Sequence, residues 1–362
     1  MSLKTTIIFI AITFFCFALI PPTSSSKPPH LITIRGYPNL YPESLSYDPS
    51  AQHFVLGSLR RPTLLSISDA SVTATLLPPG DHPSLPDNSS FVGVLVDHHT
   101  RRLLAVLRSP SLNALAAFDL RSPPLLPLLF LTPLPSSSPN DVAVDFSGNA
   151  YVTDSANNRI WKITPSGAAS VFSTSPAFTS HPVEPNKIYT SCGLNGIVYN
   201  GKGYLLVVQS NTGKMFKVNE QDGTARTVLL NKNLTAADGM AVRSDGVVIV
   251  VSHTTAYFIK SDSSWADGAV FDETALDAEG FASGVAVGGG DRVYVLYGHV
   301  DEGMMGNDGG REEFRIVEVE SEKEKEEDAV WIYVMVGLGF AYFCFWRFQM
   351  RQLATNMNKK TA

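Results

Sequence analysis

Between Pro28 and Glu320 the apolar residues fall into short runs punctuated by Gly, Asn, Asp, Ser and Pro, and no stretch keeps a helical period. The clearest unit is Pro139 to Gly167, "PNDVAVDFSGNAYVTDSANNRIWKITPSG". It reads as strand, Asp-x-x-Gly-Asn turn, strand, Asn-Asn turn, strand. The same shape returns at Leu194 to Gly223, Ala237 to Thr255 and Ala282 to Gly298, with more worn copies at Pro42 to Ser68 and Val92 to Leu120. Aligned on the residue before the first strand, the six units begin at Glu43, Gly93, Asn140, Asn195, Asp238 and Gly284, in steps of 50, 47, 55, 43 and 46 residues. Each step suits a four-stranded blade, so the pattern predicts an all-β, six-bladed β-propeller over residues 28–319. The last unit shows only three strands, ending at Glu312 to Glu320, and the unassigned strand His30 to Gly36 is expected to complete it and close the ring. The Pro-rich, Leu-rich segment Arg121 to Pro135 fits an outer strand of the second blade, where one unpaired side tolerates proline.

Both ends break this pattern. Lys4, the apolar run Ile7 to Ile20 and the small residues around Ser24 to Ser26 predict a secretory signal peptide over residues 1–26. Ala329 to Trp346 is an 18-residue apolar run without a charge, enough for about 27 Å of helix, the lower limit for a membrane span. Acidic residues 320–328 precede it as a stalk; Arg347, Arg351, Lys359 and Lys360 follow in the tail, 347–362. The positive-inside rule then gives a cytosolic tail and a lumenal body. Lys360 and Lys359 are the third and fourth residues from the end, the spacing of the dilysine signal that coat-protein retrieval machinery reads on endoplasmic-reticulum membrane proteins.

Composition sharpens this picture in two respects. With a net charge of −6 and no basic concentration, a nucleic-acid partner is excluded. The three cysteines divide as Cys16 in the leader, Cys192 in the body and Cys344 in the span, so the body has no partner for an internal disulfide. Asn88 and Asn233 begin glycosylation sequons if the body is lumenal.

In a propeller the residue that enters each innermost strand points into the central channel. Glu43, Asn140, Asn195 and Asp238 then form an all-oxygen set, two carboxylates and two carboxamides, suited to Ca²⁺ rather than zinc or copper. Taken singly, each is better explained as an Asx or strand-start residue bonded to its own backbone; it is the four together that point to a metal.

The segments "NDVAVDFSGNAYVTD", "LNGIVYNGKGYLLVV" and "ADGMAVRSDGVVIVV" resemble the calcium-dependent propellers of the regucalcin/gluconolactonase, diisopropylfluorophosphatase and paraoxonase superfamily, whose plant members are described as calcium-dependent phosphotriesterase-like. The resemblance implies metal ligation by Glu43, Asn140, Asn195 and Asp238, with Asp238 also the nucleophile or base of a hydrolase of lactones, esters or phosphotriesters. The sequence departs from that family at Ser138, at Gly239 and at Ser283-Gly284-Val285, where the family's substrate-gripping residues stand. A non-catalytic, calcium-stiffened propeller that binds a protein or metabolite is the second reading; strictosidine synthase-like activity is the third. Among lesser candidates, Asp141 either supports the set or shapes its turn, and His98, His99 and His253 read as loop histidines. Cys192 reads as an inert buried thiol, and Gly298 to Glu313 as a mobile loop in the position of a lid.

Overall fold

The structure, a computed structural model, describes residues 28–78, 82, 84–86, 88–121, 126–179, 192–306 and 310–360. The expected leader and Cys16 lie outside these residues, as do positions 122–125 of the Pro-rich segment, 307–309 of the acidic loop and the last two residues. Two compact units result: residues 29–321, and a C-terminal unit that includes residues 322–360 of the description.

The larger unit is six antiparallel sheets set around an axis, each blade next to the one that follows it in the chain and the sixth next to the first. The first blade runs Leu45–Asp48, His53–Leu56, Leu64–Ser68 and Thr73–Leu77 from the axis outward. In the second, Ser90–Asp97, Arg102–Arg108 and Ala114–Asp119 are followed by Leu128–Pro133, so the Pro-rich segment does supply the outer strand. Blade three spans Pro139–Val144 to Ala169–Ser173, and blade four Leu194–Tyr199 to Ala225–Thr227. Blade five begins with the three-residue strand Met240–Val242 and carries a fifth, parallel strand, Leu229–Leu230, on its outer edge. Blade six holds Ala282–Val287, Val293–Tyr297 and Glu313–Val319. Leu31–Arg35 pairs antiparallel with the last of these and closes the ring as expected.

Burial follows the radius. The inner strand Leu194–Tyr199 is buried almost throughout, whereas the outer strand Ala169–Ser173 is mostly exposed. The core is not one mass but six apolar clusters, one filling each junction between blades. Polar stitches cross the same junctions. Arg101 makes a two-pronged contact with Asp48 of blade one, at 2.6 and 3.0 Å, and Arg102 reaches the Gly148 carbonyl of blade three at 2.9 Å. Thr153 donates to the Asn195 carbonyl at 2.7 Å, and Ser210 to the Ala237 carbonyl at 2.6 Å.

The acidic loop is tied down rather than loose in its described part. Val300–Met304 forms a helical turn, Arg60 Nε donates to the Gly303 carbonyl at 2.8 Å, and Arg311 grips Glu302 through two bonds of 2.9 and 2.6 Å. Asn88 and Asn233 are both exposed.

In the second unit, Glu322–Lys360 is a single 39-residue helix. Most of the acidic stalk and the start of the basic tail, expected as flanks, are therefore helical turns of the same element. Good helix formers such as Glu, Lys, Arg and Gln on both sides of the apolar run explain why it does not stop at the run's ends. Among the described residues it is the one helix long and apolar enough to cross a membrane. Trp331, Ile332, Leu338 and Phe343 on it are exposed.

Candidate metal centre

The six inner strands enclose a cavity of about 350 Å³ that runs along the axis. Glu43, Asn140, Asn195 and Asp238, scattered over the chain, all line it. The blade architecture thus brings the four sequence-expected residues into one chamber.

The local device is a β-bulge at the start of the inner strands. In blade three Pro139 pairs with Asp154 and Val142 with Val152, so one extra residue is accommodated around Asn140 and Asp141. Blade four does the same around Asn195 and Gly196, between Leu194–Gln209 and Ile197–Val207. The bulge turns the Asn side chains toward the axis. Next comes a position where most blades need glycine. A Cβ on Gly93, Gly196, Gly239 or Gly284 would run into the backbone carbonyl of Asn140, Asp238, Ser283 or Glu43 of the next blade.

That contact pattern also corrects the alignment. The members of the inner circle are Glu43, Val92, Asn140, Asn195, Asp238 and Ser283; Gly93 and Gly284 stand one residue farther along. A one-residue bulge is invisible to an alignment made on strand starts. Val92 is buried in the junction of blades two and three and does not line the cavity, whereas Ser283 does. Ser283 is the site residue that sequence reasoning missed.

Asp141 shapes its own turn and ties blade three to blade four. One carboxylate oxygen accepts from its neighbour Val142 N at 2.9 Å, and the other from Ile197 N of the next blade at 3.2 Å. Asn195 is anchored from behind, donating Nδ2–H to Ser210 Oγ at 2.9 Å. His98 and His99 are exposed, as expected, with His98 at the far end of the cavity. His253 is stacked on Phe281 at 3.8 Å between ring centroids. Cys192 is half-buried rather than buried, just before the bulge of blade four.

The electrostatics of the chamber are unbalanced. Burial raises Glu43 to about 7; Arg108 pulls it back down and Asp141 adds to the rise. Asp141 also rises to about 7 through burial, against the pull of the Val142 and Ile197 amides. Asp238 is driven well above the carboxylate range by burial first and then by Glu43, with the Asn195 amide opposing and Asp141 contributing. Three carboxyl groups therefore share a low-dielectric chamber, and Arg108 is the one cation whose charge lowers any of them.

The donors fit a hard cation. Glu43 Oε2 and Ser283 Oγ are buried without a hydrogen-bond partner among the described residues, a costly state for oxygen atoms unless something else is to be bound there. Among the described residues no three His, Cys, Asp or Glu side chains group closely enough to hold a metal by themselves. A cation here would have to use the carboxamides, which is calcium chemistry rather than zinc chemistry.

Comparison with known proteins agrees with the architecture. A family model described as the NHL repeat matches residues 137–163, the third-blade unit. No curated protein matches the chain. Among solved structures, the chain is similar to the major allergen Mala s 1 of Malassezia sympodialis, with a TM-score of 0.66 and 17% identity over 81% of this chain and 97% of that one. A streptogramin B lyase gives a TM-score of 0.54 and 12% identity over 80% and 97% of the two chains. The gluconolactonase XC5397 of Xanthomonas campestris gives 0.53 and 16% over 82% and 96%. At such identities the likeness is one of fold.

Proposed function

We propose that this chain is a calcium-dependent hydrolase of lactones, esters or phosphotriesters, held at the lumenal face of a membrane by the helix Glu322–Lys360. The observation that carries this reading is an inner circle in which five of six positions bear a side-chain oxygen, with Glu43 Oε2 and Ser283 Oγ buried and, among the described residues, unpartnered beside the raised carboxyl of Asp238. Glu43, Asn140, Asn195 and Asp238 would hold the calcium ion. When bound, calcium polarises a carbonyl or phosphoryl oxygen. Asp238, a buried carboxyl group beside Glu43, would take a proton from water or attack directly. Asn195, braced by Ser210, and Asp141, braced by two backbone amides, keep this arrangement in place. The likeness to a solved gluconolactonase supports the substrate class.

The orientation rests on the acidic residues before the apolar run and the basic residues after it, and the endoplasmic reticulum on Lys359 and Lys360. The exposed sequons at Asn88 and Asn233 accord with a lumenal body that carries N-glycans. A second reading, a calcium-stiffened propeller without catalysis, is favoured by Val92 and Ser283, which give the circle no further proton-moving group.

The full-length chain in detergent decides between them. Its melting is measured with Ca²⁺ and with EDTA, and turnover is followed on a panel of lactones, aryl esters and phosphotriesters beside Asp238→Asn. Calcium-dependent turnover that the substitution removes is expected. Stabilisation by calcium without turnover would leave the binding module, and no response to calcium at all would end both readings.

A further inference from the structure

At the opposite end of the inner strands from the inner circle, blades one and six enclose a second cavity of about 300 Å³. It lies beside the far end of the chamber, and Tyr47 borders both spaces. Its aromatic side is a run of three rings. Tyr47 meets Phe54 at 5.0 Å between centroids, and Phe54 meets Tyr294 at 4.8 Å. Gly289 brings the blade-six turn Gly289–Asp291 close to Tyr47, where a Cβ would stand 3.3 Å from the tyrosine hydroxyl.

The polar groups around this cavity are under-used. Among the described residues the hydroxyl of Tyr47, the amide of Gln52 and the carboxylate of Asp69 make no hydrogen bond. His53 spends Nδ1 on Ser66 Oγ at 3.0 Å, and its Nε2 has no partner among the same residues. Arg292 donates Nε–H to the Gly289 carbonyl at 3.2 Å and reaches Glu318 only at 3.9 Å. Burial, followed by Glu318, pushes the Tyr294 hydroxyl up to about 12 against the pull of Arg292, so it stays neutral beside them.

We propose that this cavity is a second ligand site, independent of the metal chamber, and that it takes one uncharged sugar ring. An anion would pair with Arg292 but stand against Asp69 and Glu318, and a cation would do the reverse. A sugar hydroxyl both donates and accepts. A ring of hydroxyls therefore serves the donor-only guanidinium, the acceptor-only carboxylate and the neutral groups of Tyr47, Gln52 and His53 together. A zwitterionic amino acid matches the two charges, but its three polar main-chain atoms are too few for the remaining groups. The apolar C–H face of a sugar suits the half-buried Tyr47 ring. About 300 Å³ is the lower end of ligand cavities, room for one ring rather than a chain.

The test uses the full-length chain in a detergent without a sugar headgroup, read by saturation-transfer NMR. The probes are D-glucose, D-galactose, D-mannose and N-acetyl-D-glucosamine, each beside its methyl glycoside, with L-alanine as the zwitterion. At least one sugar is expected to receive saturation from the wild type. Arg292→Gln and Asp69→Asn, both at exposed positions, should each raise the sugar concentration needed by about tenfold or more. Asp238→Asn and EDTA should leave the signal unchanged, so the hydrolase reading and this one fail separately. Equal signals from a sugar and its methyl glycoside mean that the site takes the end of a glycan; loss on methylation means a free sugar. No transfer to any of the four sugars overturns the proposal. So does sugar binding that either exposed variant leaves intact, or a response to L-alanine alone.

Discussion

Blades two and five face each other across the channel and solve opposite problems. Blade two is the apolar extreme: Leu103 to Leu107 are completely buried, and its member of the inner circle, Val92, packs into the neighbouring junction. Blade five offers an inner strand of three residues, preceded by a buried carboxyl group without a countercharge. Blade two therefore contributes rigidity and no oxygen to the chamber, while blade five contributes a buried carboxyl group at a cost to its own stability. A ring can combine the two because each blade packs chiefly on its neighbours, so a strained blade is held between sound ones.

The comparison is broken most strongly from the apolar side. Phe118 is fully buried and meets Phe91 edge to face at 6.2 Å. Phe118→Ala is expected to lose about 3–5 kcal/mol of unfolding free energy in a urea titration. The calcium-induced shift in melting should survive in that variant.

Asp238→Asn should behave in the reverse way. Replacing this buried carboxyl group is expected to raise the melting temperature in EDTA near neutral pH, because the folded state then no longer carries the cost of desolvating or protonating it. The same change should remove the gain of about 2.7 kcal/mol that calcium gives at a hundred times its Kd. A variant that melts lower in EDTA would show that Asp238 is paired in the empty protein.

Gly196→Ala sharpens the comparison at the boundary of blades four and five. A Cβ there meets the Asp238 carbonyl, so about 1–3 kcal/mol of stability should be lost by chemical denaturation, together with part of the calcium response. The smallest effect is expected at the rim. Burial opposes ionisation of Asp48, but hydrogen bonds from Arg101 and the Ser50 amide outweigh it and leave its pKa below the ordinary value. Its folded pKa being depressed, the stabilisation is complete above the unfolded value near 3.9 and is lost as pH falls through the folded one. Asp48→Asn should cost about 1.5 kcal/mol at pH 7 and flatten this acid limb of the melting profile.

Much of the architecture is legible in the chain because its signals are local and repeated. Turn residues at fixed offsets mark every blade, and the closing strand is visible as an apolar run with no partner nearby. That Glu43, Asn140, Asn195 and Asp238 share one chamber follows once the units are aligned. What escapes is what depends on a single residue of register or on neighbours in space. The bulge moved the sixth member of the circle from Gly284 to Ser283, and the effect of Arg108's charge on Glu43 crosses from blade two to blade one, which no local pattern records. The helix outruns its apolar segment because helix-forming charged residues do not announce an end.

The strand that closes the ring has a consequence for biosynthesis. Leu31 pairs with Val317, so the first strand to leave the ribosome waits for a mate 286 positions later. At ordinary rates of translation that wait lasts on the order of 15–60 s. Throughout it Ile32 and Ile34, fully buried in the finished protein, stand on an open sheet edge that other nascent chains can capture. Production of this protein should therefore depend on chaperones that shelter its opening residues, and shortening the chain just before its last strand should yield aggregate rather than a smaller propeller.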